Sequence, residues 1–278
     1  MAIELCLLAY DIYIGGGEML SSCSVEHISR PVVALADEYP DGFVDASHSH
    51  SRAQLLYASH GVMSVITPIG SYLVPPQRAV WLPKGFVHEV ACRGPVSLRT
   101  LYVEAEERQS LPKDCCVLNV SDLLRSLILE AMRLEAEYDV CGRDGRLMDL
   151  ILDEIGRTKA APLYVPMPQD ARLTRVCSAI LRDPATNLDL DHWASLAGMG
   201  RRTLTRSFRI ETGMSLAEWR QQVRLLEALS RLAEGQALTT VAFDVGYESP
   251  SAFTAMFHRT FGSTPSQYFD KTGTSGRH

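Results

Sequence analysis

Over the first 118 residues, short apolar runs are punctuated by Gly and Pro. Val32–Tyr39, Gln54–Ala58, Val62–Pro68, Ser71–Val74, Ala79–Leu82, His88–Cys92 and Ser97–Glu104 have the length and patterning of strands. Gly42, Gly61, Gly70, Pro75-Pro76, Pro83-Lys84-Gly85 and Gly94-Pro95 supply turns between many of them. Strands this short and this closely spaced predict an antiparallel barrel or jelly roll. The period then changes. Over Asn119–Tyr138, Leu124, Leu127, Ile128, Ala131 and Leu134 recur at helical spacing, with Ser121 or Asp122 as cap. A second helix is predicted from about Gly145 to Arg157. It carries Leu147, Leu150, Ile151 and Ile155 on one side and Met148 and Leu152 on another, so burial on two sides is expected, one of them against a dimer partner. Pro162, Pro166 and Pro168 punctuate a helix-free stretch that reads as a linker. Everything from Ala171 onward reads as helix.

The helical half contains a duplication. At a shift of 49 residues Leu204 falls on Phe253, Phe208 on Phe257, Gly213 on Gly262, Ser215 on Thr264 and Trp219 on Tyr268. At a shift of 48, Ala194 falls on Ala242 and Gly198 on Gly246, so a one-residue insertion in the turn reconciles the two. Each copy reads as helix, tight turn, helix. Between the copies, Leu216–Ala233 is a continuous helix ended by Gly235. Its length of about 27 Å is near the repeat of successive major grooves, about 34 Å.

Composition narrows the classes. With 46% hydrophobic residues over 278, the chain can bury a large core and suits two domains. Its 22% charged and 8% aromatic residues, with 33 Gly and Pro together, are ordinary globular values and exclude disordered, collagen-like and coiled-coil classes. There is no run of 18 apolar residues, so no membrane span is expected. Met1 to Ile14 is apolar but carries Glu4 and Asp11 and no basic residue, which does not match a secretory signal. Seven cysteines without a repeated spacing read as free thiols in a reducing cytosol. Gly15-Gly-Gly17 lacks the strand and the Lys-Ser/Thr of a phosphate loop. Residues 1–169 carry 14 Lys/Arg against 22 Asp/Glu, and residues 170–278 carry 13 against 11, which suggests two jobs. Gly200–Arg209 holds four arginines and no acid: a solvated helix face, or a nucleic-acid contact.

The run RRTLTRSFRIETGMSLAEWRQQVRLLEALSRLAEG followed by VAFDVGYESPSAFTAMFHRTFGSTPSQYF resembles the DNA-binding domain of the AraC/XylS family of transcription regulators. The resemblance covers roughly 171–270. It implies a seven-helix domain with two helix-turn-helix motifs, at about 188–212 and 238–261. The residues it offers to DNA are Arg201, Arg202, Thr203, Thr205, Arg206 and Arg209 from the first copy, and Ser249, Ser251, Ala252, Ala255, His258 and Arg259 from the second.

In the first half, His48-Ser-His50, Gln54, Gly61 and Pro83-Lys-Gly85-Phe-Val-His88 resemble the two cupin motifs. That family's barrel gathers an HxH pair, an acid and a later His around one metal. His48 and His50, two apart on a strand, share a face. Gln54 stands where metal-binding cupins commonly carry Glu, which weakens a hard divalent ion. Two readings stay open: a metal site of His48, His50 and His88 suited to Zn, Fe, Ni or Mn, or a metal-free His-lined pocket that binds an organic effector, with Gln54 as a further contact, or simply satisfies its own hydrogen bonds. Tyr57, Trp81 and Tyr72 are aromatic wall candidates or plain core. His27 and His60 are placed by neither motif, and the adjacent Cys115-Cys116 read as free thiols.

The expected fold is α+β with two domains: a cupin-like β-barrel plus helices over 1–160 that binds effector and dimerises, a linker over 161–170, and an all-α domain with two helix-turn-helix motifs over 171–270. The expected function is a sequence-specific DNA-binding transcription regulator responding to a small effector, with a metal-responsive regulator as the alternative and a cupin-type metalloenzyme behind both. No catalytic residue is assigned. The expected partners are double-stranded promoter DNA, a small-molecule effector, RNA polymerase and a second copy of the chain, in the cytoplasm and away from membranes. The sequence fixes no cofactor; a divalent transition metal in the barrel is the one candidate.

Overall fold

A computed structural model of the chain describes residues 28–75, 78–104, 110–161 and 163–273. Met1 to Ile14, Gly15-Gly-Gly17, His27, Pro76 and Pro162 lie outside the described residues. The chain forms two compact units, one of residues 1–65 and 76–162, the other of residues 66–75 and 163–278.

In the first unit the strands β1 (Val32–Tyr39), β2 (Val44–His48), β3 (Ala53–Thr67), β5 (Arg78–Leu82), β6 (His88–Val103), β7 (Cys116–Asn119) and β8 (Ala160–Ala161) run in the order β1-β6-β3-β5-β7-β8, with β2 beside β6. The two ends of that path, β1 and β8, do not pair, so the sheet is open and the expected barrel does not close. Its apolar face is covered instead by two helices, α1 (Asp122–Ala131) and α2 (Arg143–Arg157). Strand alternation divides the sheet. Val32, Ala53, Leu55, Tyr57, Ala79, Trp81, Leu101 and Val103 pack under Leu124, Ile128, Ile151 and Ile155. The residues between them, among them Val33, Leu35 and Tyr102, point to the other face.

Four details differ from the sequence reading. Gly61 and Gly94-Pro95 do not end strands: β3 and β6 run through them. Gly61 has φ +81°, and a Cβ there would lie 2.2 Å from the Pro95 carbonyl oxygen, so its glycine serves close backbone approach. The first helix stops at Ala131, short of Tyr138. Tyr138 is held elsewhere: its ring is buried in the core, its hydroxyl accepts from Val32 N, and its carbonyl accepts from Arg30 Nε at 2.7 Å. Strands β2 and β7 went unread because VDASH is half-exposed and polar and CVLN is four residues long.

Among its described residues the second unit adds to its helices the strand β4 (Gly70–Val74), which pairs with the end of β3 and with β9 (Tyr164–Pro166) inside the helix-free stretch, and Tyr72 stacks on Tyr164. Seven helices follow: α3 (Ala171–Arg182), α4 (Leu190–Ala197), α5 (Arg201–Thr212), α6 (Leu216–Ala233), α7 (Leu238–Asp244), α8 (Pro250–Phe261) and α9 (Pro265–Gly273). The Pro166 carbonyl accepts from the Trp219 indole of α6 at 2.7 Å, and the Glu211 carboxylate of α5 accepts from Gln169 N and Asp170 N at the start of α3. No helix among the described residues is long and apolar enough to cross a membrane. Cys92, Cys115, Cys116, Cys141 and Cys177 are unbridged.

Asp37 gives the first unit a measurable pH signature. It is 5% exposed on β1, with the Tyr39 hydroxyl donating to its carboxylate and its Oδ1 without a partner. Burial, only partly offset by Arg99, raises its pKa from 3.8 to about 6. The folded chain therefore holds this proton more tightly than the unfolded chain. Stability from this group falls as pH rises from about 4 to about 6 and is flat above. Asp37→Asn is expected to raise stability at pH 7 by at most about 3 kcal/mol, with the gain vanishing near pH 4. Thermal unfolding across that range checks it; a gain that is equal at both ends would refute the assignment.

Candidate functional site

The two helix-turn-helix copies superimpose in their chemistry. Gly198 and Gly246 take left-handed φ values of +64° and +84° in the turns, and the residue after each donates back to Ala194 O and Ala242 O, both at 2.9 Å. Leu204 and Phe208 face the core in one copy, Phe253 and Phe257 in the other. Phe208 meets Trp219 edge-on with ring centroids 5.9 Å apart, and Phe257 meets Tyr268 in the same way at 5.6 Å. Gly213 and Gly262 end the second helices at φ +72° and +71°. Even the next caps repeat: Ser215 and Glu218 form a reciprocal capping box, and Thr264 and Gln267 exchange the equivalent pair of hydrogen bonds.

What differs is the outward face. On α5, Arg201, Arg202, Thr203, Thr205, Arg206 and Arg209 are all exposed. Arg201 is engaged: its guanidinium pairs with both carboxylate oxygens of Asp191 on α4. Thr205 returns its hydroxyl to the Arg201 carbonyl. On α8, Ser251, Ala252, Ala255, His258 and Arg259 are exposed. Pro250, Ser251, Thr254, Ala255, His258 and Thr264 line an open groove of about 560 Å³. Ser249 caps α8 by accepting from Ala252 N at 3.2 Å, whereas α5 starts at Gly200 with no side-chain cap.

Arg224 on α6 joins the two copies and Arg220 ties α6 to the first, roles no sequence motif announces. The Arg224 guanidinium donates to Pro184 O (2.8 Å), Ala185 O (3.2 Å) and Thr186 O (3.0 Å) in the loop ahead of α4, and to Gly246 O (3.3 Å) in the second turn. Arg220 donates to Thr186 O and Leu188 O and lies over the Trp193 ring. Their signal in the sequence is only spacing: two arginines four apart on the central helix.

In the first unit the structure gathers His48, His50 and His88. His48 on β2 lies directly opposite His88 on β6. Gly85 N donates to His50 O at 2.9 Å, which ties the Pro83–Gly85 turn to the cluster. Ring centroids are 4.4 Å apart for His48–His88, 4.7 Å for His48–His50 and 5.7 Å for His50–His88. Tyr102 meets His50 edge-on at 5.1 Å. Burial lowers the pKa of His88 below the ordinary imidazole value, so its ring is neutral at pH 7. Gln54 is 4% exposed, with its Oε1 lacking a partner. Tyr57 and Trp81 are not brought to the histidines: they pack in the core beneath α1 and α2, on the sheet face opposite to that of Gln54, and the Trp81 indole donates to Pro112 O. His60 is exposed.

Two family models match. An AraC-like ligand binding domain covers residues 30–187 and a helix-turn-helix domain covers residues 193–271. The regulator NimR of Escherichia coli is 31% identical over 84% of this chain and 85% of its own length. The regulator RipA of Corynebacterium glutamicum is 35% identical over 49% of this chain and 40% of its own length. Among solved structures, ToxT of Vibrio cholerae aligns over 89% of this chain and 98% of that chain at 14% identity, with a TM-score of 0.37.

Arg224→Ala removes the donor to four carbonyls at once. The expected cost is about 2–4 kcal/mol of stability, with a loss of operator affinity beyond it. Arg224→Lys should recover less than half, since an ammonium cannot fork between the two segments. Chemical denaturation of the full chain checks this; a loss for Arg224→Ala under about 0.5 kcal/mol would place it among ordinary surface substitutions.

Proposed function

The chain belongs to the AraC family of helix-turn-helix transcription regulators with a ligand-binding domain, and on that premise we propose how its halves divide the work. Residues 171–270 bind double-stranded promoter DNA, residues 1–160 bind a small effector and pair two copies, and residues 161–170 link them. The observation that carries the DNA reading is the duplicated motif with one arginine-rich and one arginine-poor outward face. Arg206 reads guanine edges from α5, while Arg202, Thr203, Thr205 and Arg209 fix its register on phosphates and neighbouring bases. Arg201, paired with Asp191, braces α4 against α5. On α8, Ser249, His258, Arg259 and the helix N-terminus hold phosphates, and Ser251, Ala252 and Ala255 allow close approach to the groove. DNA as partner places the chain in the cytoplasm, beside RNA polymerase.

The effector reading draws on the sheet face that α1 and α2 leave uncovered. His48, His50, His88 and Gln54 supply its polar contacts; Tyr57 and Trp81 are assigned to the core. The dimer reading draws on apolar side chains left outside that core: Leu123 on α1 is 50% exposed and Leu150 on α2 is 41% exposed. A ligand changes operator affinity only by binding the two arrangements of the dimer unequally.

Operator selection from randomised DNA tests the unequal motifs. Arg206→Ala should erase preference at one or two base pairs in one half of the site, about 1–3 kcal/mol each, while Ser251→Ala changes little. Equal information content in both halves, or the larger loss from Ser251→Ala, would overturn the reading. Leu123→Glu combined with Leu150→Glu should convert the full chain from dimer to monomer in light scattering; a monomeric wild type would refute the pairing.

A further inference from the structure

We propose that Glu211 is a positioning residue through which the segment 164–170 acts on the first recognition helix, α5, and not on the second, α8. The inference rests on the DNA-binding reading and adds to it which of the two readers the linker controls.

The segment is held at both of its ends. Upstream it is strand β9, laid against β4. Leu73 N donates to Leu163 O at 3.2 Å, and Met167 N donates to Ile69 O at 3.1 Å. The Tyr164 hydroxyl donates to the same Ile69 carbonyl at 2.6 Å, and its ring stacks on Tyr72. The fit is close: a Cβ on Gly70 would overlap the Tyr164 ring and lie 2.6 Å from Val165 O. β4 follows β3 through a turn in which Thr67 Oγ1 donates to Gly70 O and accepts from Gly70 N. β3 carries Gln54 near its other end. One unbroken strand and one fastened turn therefore lead from a residue of the effector face to the segment.

Downstream the segment grips α5 twice. The Glu211 carboxylate accepts from Gln169 N at 2.8 Å and from Asp170 N at 3.0 Å, two charge-assisted bonds to backbone. The Trp219 indole donates to Pro166 O at 2.7 Å, and its ring meets Phe208 edge-on, one turn before Glu211. A shift of the segment thus pulls on the last turn of the helix that carries Arg202, Arg206 and Arg209.

The duplication supplies an internal comparison. At the shift of 49 the aromatic knob is kept, Phe208 falling on Phe257, but both grips are replaced. Thr260 stands at the place of Glu211 and turns its hydroxyl to Met256 O on its own helix. Tyr268 stands at the place of Trp219, and a phenol has no ring N–H to offer. A carboxylate needed only to finish a recognition helix is expected in both copies. It occurs in the copy that has a linker to hold.

Linkage is reciprocal, so DNA bound at α5 must be felt at the segment. The probe is the operator selected from randomised DNA, added to the full chain at saturation, with hydrogen exchange followed by mass spectrometry over 66–75 and 164–170. Exchange there should slow by about five-fold or more, the lower end of coupling between two sites. An operator scrambled only in the half whose preference Arg206→Ala erases should give no slowing, and one scrambled only in the other half should give the full effect. Glu211→Ala, at an exposed position, should abolish the slowing at saturating operator. Glu211→Gln, which keeps an acceptor oxygen, should restore most of it, and Thr260→Ala should leave it intact. Operator binding without slowing in the wild type, slowing that follows the other half, or slowing that survives Glu211→Ala would overturn the coupling and leave the DNA reading standing. Failure to select any operator would overturn both.

Discussion

The second unit depends on where α6 sends its arginines. A guanidinium has five donors in a rigid fork, and Arg224 uses them on two separate stretches of backbone, Pro184–Thr186 and Gly246. The first stretch leads into α4 and the second forms the turn between α7 and α8. One side chain thus fixes both motifs to the same helix. Around it, the Ser215–Glu218 box starts α6 at a defined residue, and the buried Trp219 ring holds Phe208 on one side and Pro166 O on the other. The spacing of the two recognition helices follows from these anchors on a helix of 18 residues. Charge-assisted bonds of this kind are geometrically demanding, which suits a part whose task is to hold two readers in register on DNA.

The helical half was legible because its information is periodic. Aromatic knobs at Phe208 and Phe257, left-handed glycines at Gly198 and Gly246, and hydroxyl caps at Ser215 and Thr264 are each local rules written twice. Duplication turns weak propensities into a strong signal. The sheet half was legible only where strands alternate or stay apolar, as in β1 and β5. β2 was hidden because VDASH has neither trait and is a strand through its ladder to β6. Gly61 looked like a turn because sequence alone does not separate a glycine that reverses the chain from one that lets two strands approach. Tyr138 was read into a helix because the pull of Val32 N and Arg30 on it is non-local.

The histidine motif shows the same division. Spacing placed His48 and His50 on one face, and the later strand brought His88 opposite His48. The ring orientations were beyond sequence, because the Nδ1 atoms of His48 and His88 lie 2.7 Å from Ala46 O and 2.9 Å from Phe86 O. Two of the aromatic wall candidates, Tyr57 and Trp81, lie by parity on the face opposite to Gln54. Tyr57 is three residues from Gln54, and an odd separation on a strand puts two side chains on opposite faces. Trp81 follows because it opposes Leu55 in the ladder and shares its helix-covered side.

The ladder between β4 and β9 has a consequence for modularity. Because residues 66–75 group with the helical unit, the chain crosses between its units three times, not once. No single cut yields two self-sufficient pieces. Severing near residue 163 leaves β4 with bare N–H and C=O groups at Ser71, where Val165 had been, and an uncovered strand edge of that kind invites aggregation. Gene fusions that exchange such helical modules by a simple join would inherit an orphaned edge. For this chain, recombination is tolerable only if the ten-residue hairpin travels with the reader it supports.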